Sequence, residues 1–332
     1  SLFGVDIEPS AVDIAKLRLW LSIVVDSPND DIQPLPNLDF NLMVGNSLLD
    51  EFEGIKLFDE HLLENSDKIK LKLTQSNLFE AQQSMGETFL KERKLLLKEF
   101  FNPLNSYKKS EIKEEIENKE WELIKYTLTE NGNIDKWKNI EKYRKQNKKP
   151  YFLWKLEFAE VFQEKGGFDI VIGNPPYGAS IPKEEMKVIK NKFVNNVNTN
   201  SVAIFMDFAM SYWIKQSGIV SMIVPKSLLY SEKWFKLVEN LLPHTGILVD
   251  VEKAFEKVKL EQVFYVYNKN FNFDSYYARK FLNNDFINSN YIKSSLVLKY
   301  KSWICDISKD ELEIISNINI PIEYLSNISE TK

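Results

Sequence analysis

The 332 residues are 44% hydrophobic and 27% charged, enough for roughly two domains and a sizeable core. The one cysteine, Cys305, excludes an internal disulfide framework and suits a reducing, cytoplasmic setting. No apolar run reaches the ~18 residues of a membrane helix, no signal segment opens the chain, and a formal net charge of −5 excludes a basic excess over the whole molecule while leaving room for one basic face.

Leu2 to Ile7 is a short apolar run around Gly4 and predicts a buried strand. Ser10 offers an N-cap with Asp13 in the capping-box position, and a helix is expected from about Ala11 to Val25, ending before Pro28. Strand then helix is half of a βαβ unit. A second strand, about Phe40 to Val44, ends in Gly45-Asn46-Ser47. From Phe52 to Lys165 glycine is scarce, and Met85 to Phe101 and Glu111 to Tyr126 carry helical spacing with charged outer faces. This stretch reads as a helical insertion. Its segment Lys136 to Lys149 is strongly basic and holds Trp137 and Tyr143, which suits either phosphate contacts or a solvated helix pair with no ligand.

Gly166-Gly167 then punctuates the chain, and Phe168 to Ile172 is a near-continuous apolar strand running into Gly173-Asn174-Pro175-Pro176-Tyr177-Gly178. Asn200 to Ile214 has helical periodicity, with Gly218 as its stop and Ile219 to Val224 as the next buried strand. A helix at Leu237 to Leu242 and strands at Gly246 to Val251 and Glu261 to Tyr267 complete the pattern. Such runs, bounded by Gly and Pro and alternating with helices, predict an α/β fold with a mainly parallel, Rossmann-like sheet. After about Asn270 the pattern is irregular and rich in Asn, Ser and Tyr, as if a different module begins.

The strongest chemical signal is Asn174-Pro175-Pro176-Tyr177 directly after an expected buried strand. Parallel sheets bind ligands beyond the carboxyl ends of their strands. Two successive prolines fix the backbone and supply no N–H, which leaves nearby carbonyls rigid and free to accept. The Asn174 amide oxygen and the Pro175 carbonyl can together grip an NH2 group, and Tyr177 adds a flat face for a base. Two acceptors on an aromatic amine favour a more tetrahedral nitrogen, with its lone pair aimed at an electrophile and no strong base required.

These residues resemble the catalytic motif of DNA methyltransferases that act on the N6 amine of adenine. Four other segments fall in that family's order. Gly4-Val5-Asp6-Ile7-Glu8-Pro9 and the helix through Trp20 are similar to its second motif, and the helix is most similar to type IIG restriction-modification enzymes and related phage-defence methyltransferases. The resemblance implies that Asp6 accepts from both ribose hydroxyls of S-adenosylmethionine, with Ile7 beside it lining the cofactor. Val44-Gly45-Asn46-Ser47-Leu48-Leu49 is similar to the third motif, with Asn46 where the family usually has Asp, and implies acceptance from the cofactor's adenine amine by Asn46, with Ser47 as a further cofactor-binding residue. Phe205, in the helix after the catalytic loop, matches an aromatic that packs on the cofactor. Phe255, in Ala254 to Lys259, matches a second aromatic that would sandwich the target base against Tyr177. No metal is implied.

The resemblance covers roughly 1–51 and 166–270, so the expected organisation is a first methyltransferase part at 1–51, the insertion at 52–165, the catalytic part at 166–270 and the start of a target-recognition region at 271–332. The family's first motif, a strand ending in Asp-Pro-Ala-Cys-Gly-Ser-Gly or similar, is expected ahead of Asp6. The chain is therefore read as lacking the enzyme's N-terminal part, and weak or no cofactor binding and no turnover are expected of it alone. A nuclease or specificity region is expected in the missing part or in another subunit, and duplex DNA is the expected partner. Two other readings stand beside this one: a non-catalytic DNA-binding scaffold on the same fold, and the same chemistry on RNA or on a protein glutamine amide.

Overall fold

The computed structural model describes residues 1–26, 38–60, 77–146, 149–192, 200–255 and 258–318. Two compact units account for them. One comprises Ser1–Gln163 with Lys187–Ile189, and the other Glu164–Met186 with Lys190–Lys332. The first unit thus holds residues 1–51 together with 52–163 of the insertion.

In the first unit, strand β1 (Gly4–Asp6) pairs in parallel with β2 (Leu42–Val44), Asp6 standing opposite Val44. Between them lies helix α1 (Pro9–Asp26). Its start differs from the expectation. Pro9 occupies the first turn, where its missing N–H costs nothing, so Ser10 is inside the helix and not its cap. Pro28, the expected stop, lies outside the described residues. A two-residue hairpin pairs β3 (Glu51–Phe52) with β4 (Ile55–Lys56). The insertion then forms α2 (Asn77–Phe101) and α3 (Lys109–Glu130), joined by a turn in which the Asn102 side chain accepts from the Leu104 N–H ahead of Pro103, followed by the short α4 (Trp137–Lys145). Helix α3 buries Ile112, Ile116, Glu120, Leu123, Ile124, Thr127 and Leu128, a three-and-four spacing that makes one apolar stripe. Glu120 sits in the middle of that stripe, which is why a carboxylate is 4% exposed there.

The second unit is built on a six-stranded sheet in the order β10-β9-β7-β8-β6-β5. Its strands are β5 (Phe168–Gly173), β6 (Ile214–Pro225), β7 (Thr245–Glu252), β8 (Gln262–Asn268), β9 (Ser275–Leu282) and β10 (Asp285–Lys293). The α/β class holds, but the sheet is mixed rather than mainly parallel. β5 and β6 run parallel, as do β7 and β9, whereas β8 is antiparallel to both β6 and β7, and β10 to β9. The connections explain it. A parallel neighbour needs a crossover of a dozen or more residues, and the link from β7 to β8 and the Asn283-Asn284 turn from β9 to β10 are shorter than that. Both asparagines have positive φ, as a tight hairpin turn of this hand requires.

Three readings are corrected here. Within the segment after Asn270, residues 275–293 form a regular hairpin continuing the same sheet, with β9 seated on β7. Gly218 does not stop a helix. Helix α5 (Ser201–Phe208) ends in one wider turn, Ala209–Trp213, and β6 begins at Ile214. Gly218 lies inside that strand because a Cβ there would fall 3.0 Å from the Phe168 carbonyl and 2.7 Å from the Ile214 side chain. Finally, β5 is an edge strand of this unit and not a buried one, with Ile170 61% and Ile172 76% exposed. Helix α6 (Glu232–Leu241) buries Trp234, Leu237, Val238 and Leu241. Val220, Met222, Val224, Leu248, Val249, Val263 and Tyr265 form the core of the sheet.

Candidate functional site

The expected residues divide between the two units. In the first, Asp6 and Asn46 stand at the carboxyl ends of adjacent parallel strands. The Gly45 N–H donates to the Asp6 carbonyl at 2.9 Å, which continues the pairing one residue past β2. Asp6 is exposed, and its Oδ1 accepts from the Glu8 N–H at 2.8 Å, so the carboxylate is oriented by the turn that opens α1. Ile7 beside it is 66% exposed. Asn46 caps its own turn. Its Oδ1 accepts from the Leu48 N–H at 3.2 Å and its carbonyl from the Leu49 N–H at 3.2 Å. The Ser47 carbonyl accepts from the Trp154 indole N–H at 3.0 Å.

In the second unit, Asn174 to Tyr177 form the loop that leaves β5. Asn174 is exposed at the strand end, Pro175 is buried, and Tyr177 is half-buried. Burial pushes the Tyr177 phenol pKa up, and its hydroxyl donates to the Ile223 carbonyl at 3.3 Å. The loop is closed by a residue that sequence patterning did not single out. Ser201, 1% exposed in the first turn of α5, donates from Oγ to the Pro176 carbonyl at 2.6 Å and accepts from the Ala179 N–H at 3.1 Å. Its helix is capped by Asn200, whose side chain accepts from the Val202 N–H at 2.9 Å. A polar pair heading an apolar helix is the signal that could have marked Ser201.

Phe205 lies on the same helix, partly exposed, with its ring edge-on to Trp213 at 6.1 Å. Phe255 follows β7 and is 42% exposed. Because β8 is antiparallel to both β6 and β7, strands β5, β6 and β7 all point the same way, and the loops of Tyr177 and Phe255 leave the sheet at the same end of its strands. Three strand spacings separate β5 from β7, roughly 14 Å. Among the described residues the two rings make no contact with each other. Between them, at the end of β6, Lys226 reaches Asp250 at 2.7 Å and Glu261 at 2.9 Å. Burial opposes its charge, but these carboxylates outweigh it and raise the lysine's pKa.

The basic stretch Lys136 to Lys149 is largely occupied with its own unit. Lys136 pairs with Glu53 at 3.0 Å and Lys145 with Glu141 at 3.8 Å. Arg144 donates to Asn118 at 2.5 Å and lies over Trp121. Lys149 contacts Glu120 at 2.9 Å and Glu157 at 3.4 Å, and Glu157 also contacts Arg93 at 2.6 Å. Burial and the neighbouring Glu157 push Glu120 up to about 7. Burial also opposes the charge on Glu157, but Lys149 and Arg93 prevail and hold its pKa below the usual carboxylate range. Among the described residues no helix is long and apolar enough to cross a membrane, and no group of three or more His, Cys, Asp or Glu is placed to hold a metal ion.

Comparison with known proteins bears on these features. The family model of the Eco57I restriction-modification methylase matches residues 1–264. A Methanocaldococcus jannaschii protein, provisionally named a type II restriction enzyme and methyltransferase, is 30% identical over 276 residues, covering 68% of this chain and 22% of the relative. The chain thus spans less than a quarter of that relative's length. Among solved structures, the type IIG restriction endonuclease BpuSI is similar with a TM-score of 0.34 at 16% identity, over 41% of this chain and 20% of that one. The M protein of the type I restriction enzyme EcoKI gives a TM-score of 0.28 at 18% identity, over 35% of this chain and 25% of that one. These structural likenesses are partial, and the assignment rests on the family model, which spans most of the sequence. The chain belongs to the Eco57I restriction-modification methylase family.

Proposed function

We propose that this chain is the catalytic half of a DNA methyltransferase that transfers a methyl group from S-adenosylmethionine to the N6 amine of adenine, within a restriction-modification or phage-defence system. One observation carries the reading: the Asn174-Pro175-Pro176-Tyr177 loop leaves the carboxyl end of β5 and is tied down by Ser201 through the Pro176 carbonyl. A rigid loop with two acceptors at a strand end is what an aromatic amine requires. The side-chain oxygen of Asn174 and the carbonyl of Pro175 accept from the two amine hydrogens, which draws the nitrogen toward tetrahedral geometry and aims its lone pair away from the loop. Tyr177 and Phe255 stack on an extruded base, at roughly 1–3 kcal/mol per base. Extrusion from the duplex costs a few kcal/mol, so the two terms are comparable.

The residues at the ends of β1 and β2 fit the cofactor. The Asp6 carboxylate is exposed and held in one orientation by the Glu8 N–H, which suits acceptance from a pair of vicinal hydroxyls. Asp6, Ile7, Asn46 and Ser47 would hold it, and the family resemblance assigns Phe205 to its adenine. S-adenosylmethionine supplies an electrophilic methyl group when bound.

The test is methylation of duplex DNA by the full-length protein with radiolabelled cofactor, followed by digestion to nucleosides. Label in N6-methyladenine, abolished by Asn174→Ala, is expected. Label in cytosine, or in RNA or peptide substrates but not in DNA, would overturn the assignment.

A further inference from the structure

We infer that Trp154 is a positioning residue of the cofactor pocket, holding the Ser47 carbonyl and through it the turn that carries Asn46. This rests on the cofactor reading proposed above for the ends of β1 and β2. The segment Tyr151 to Phe158 closes the insertion and returns to the turn that follows β2 and to the residue that precedes β1. The Phe152 N–H donates to the Leu49 carbonyl at 2.6 Å, and the Trp154 indole N–H donates to the Ser47 carbonyl at 3.0 Å. Phe152 is packed so tightly on the β2 exit that a Cβ on Gly45 would stand 2.7 Å from its ring and 2.9 Å from the Tyr151 carbonyl. On the other side, the Phe158 ring lies 4.9 Å from Phe3, which immediately precedes β1. Phe152, Trp154 and Phe158 also touch one another, with centroids 5.0 to 5.7 Å apart.

The segment is itself anchored from behind. Glu157, adjacent to Phe158, is gripped by Arg93 of α2 and by Lys149, and Lys149 in turn reaches Glu120 of α3. Tyr151, Phe152, Leu156 and Phe158 are all at most 3% exposed. The aromatic trio is therefore fixed to the insertion on one face and, on the other, to the start of β1 and the exit of β2. The turn at Asn46 is stabilised from within by its own Asn side chain and from outside by the indole N–H. Losing that N–H leaves the Ser47 carbonyl unpaired and lets the Gly45 to Leu48 turn relax, while the strand pairing stays.

The experiment uses the full-length protein. Trp154→Phe keeps a smaller aromatic ring and removes the donor, and a rise of roughly fivefold in the dissociation constant for S-adenosylmethionine is expected by titration calorimetry. Turnover at saturating cofactor and affinity for duplex DNA should stay within about twofold. Trp121→Phe is the control, since Trp121 is 6% exposed in α3 and packs on Trp137, away from the strand ends, so it should leave cofactor affinity unchanged. If Trp154→Phe does not fold, Phe158→Leu is measured in its place, with the same expected weakening. Unchanged cofactor affinity in the Trp154 variant, or equal weakening in both tryptophan variants, overturns the inference and leaves the proposed function standing. A wild-type protein that binds no S-adenosylmethionine overturns both.

Discussion

Ser201 Oγ and the carbonyl oxygen of Pro176 are 2.6 Å apart, a hydrogen bond joining a buried side chain of helix α5 to the backbone of the Asn-Pro-Pro-Tyr loop. Prolines at 175 and 176 remove two N–H donors, so the loop cannot fasten itself by main-chain bonds at those positions. Ser201 supplies the missing fastening from outside, and its acceptance from Ala179 closes the far side of Tyr177. Ser201→Ala should lower the single-turnover methylation rate roughly tenfold, the loss of a buried hydrogen bond at a positioned loop, with DNA affinity within about twofold. An unaltered single-turnover rate would show that the loop holds its shape without the serine.

Asn174→Ala should reduce turnover by roughly a hundredfold or more, comparable to removing one preorganised polar contact at a reacting centre, with little loss of DNA affinity. Rapid-quench kinetics with pre-bound DNA separates the two quantities. Parallel losses of rate and of binding would assign Asn174 to DNA contact and not to the amine.

Tyr177 has a separable ring and hydroxyl. The hydroxyl reaches the Ile223 carbonyl at 3.3 Å, so Tyr177→Phe should cost at most about threefold in turnover. Tyr177→Ala removes a stacking face worth roughly 1–3 kcal/mol and should weaken capture of the extruded base. Fluorescence of 2-aminopurine at the target position reads this directly, and a full-strength signal in the alanine variant would argue against stacking.

Glu120 gives the protein a pH-dependent stability. Its pKa in the folded state, about 7, lies above the ordinary 4.5, so folding favours the protonated acid. The stabilising contribution is complete below about pH 4.5 and is lost as pH rises through 7. Glu157 has the opposite shift and works in a lower window, losing its contribution as pH falls below the usual carboxylate range. The melting temperature of Glu120→Gln should therefore exceed that of the wild type at pH 8, and the difference should shrink toward pH 5. A constant difference across that range would mean that Glu120 stays ionised when buried.

Neutralising Lys142, Arg144 and Lys145 together should change DNA affinity by less than about twofold and leave its salt dependence unaltered. Arg144 and Lys145 already have partners within their own unit. Were any of the three seated on a DNA phosphate, its neutralisation would flatten the slope of log affinity against log salt by roughly 0.9. A slope reduced by two or three would restore the DNA-contact reading for this stretch.

How far the sequence could be read depended on whether a residue's neighbours were near in the chain. The run Phe168 to Gly173, bounded by paired glycines, announced its strand and the loop after it. Asp6 and Asn46 could be set at the ends of two strands because each follows an apolar run directly. Gly218 was misread because glycine both stops helices and admits close backbone approach, and only the Phe168 carbonyl beside it shows which applies. The hairpin of β9 and β10 was missed because its outward face carries Tyr277, Arg279 and Ser289, held together by ring and hydrogen-bond contacts that composition does not reveal. Glu120 looked like part of a charged outer face, since its burial depends on Lys149 reaching it from another segment. The Ser201 hydroxyl could not be placed on the Pro176 carbonyl without the fold.

The hydrogen bond from Phe152 to Leu49 has a consequence for how such a chain can change over time. It fastens the insertion at its neck, where the polypeptide departs and comes back within one peptide's reach. Closure entropy grows only with the logarithm of loop length, so extra or missing turns between those two points cost little. Helices can be added to this excursion or trimmed from it while the strand exits keep their positions, provided that Glu157 is exchanged along with Arg93 and Lys149 so that no carboxylate is left buried without a cation.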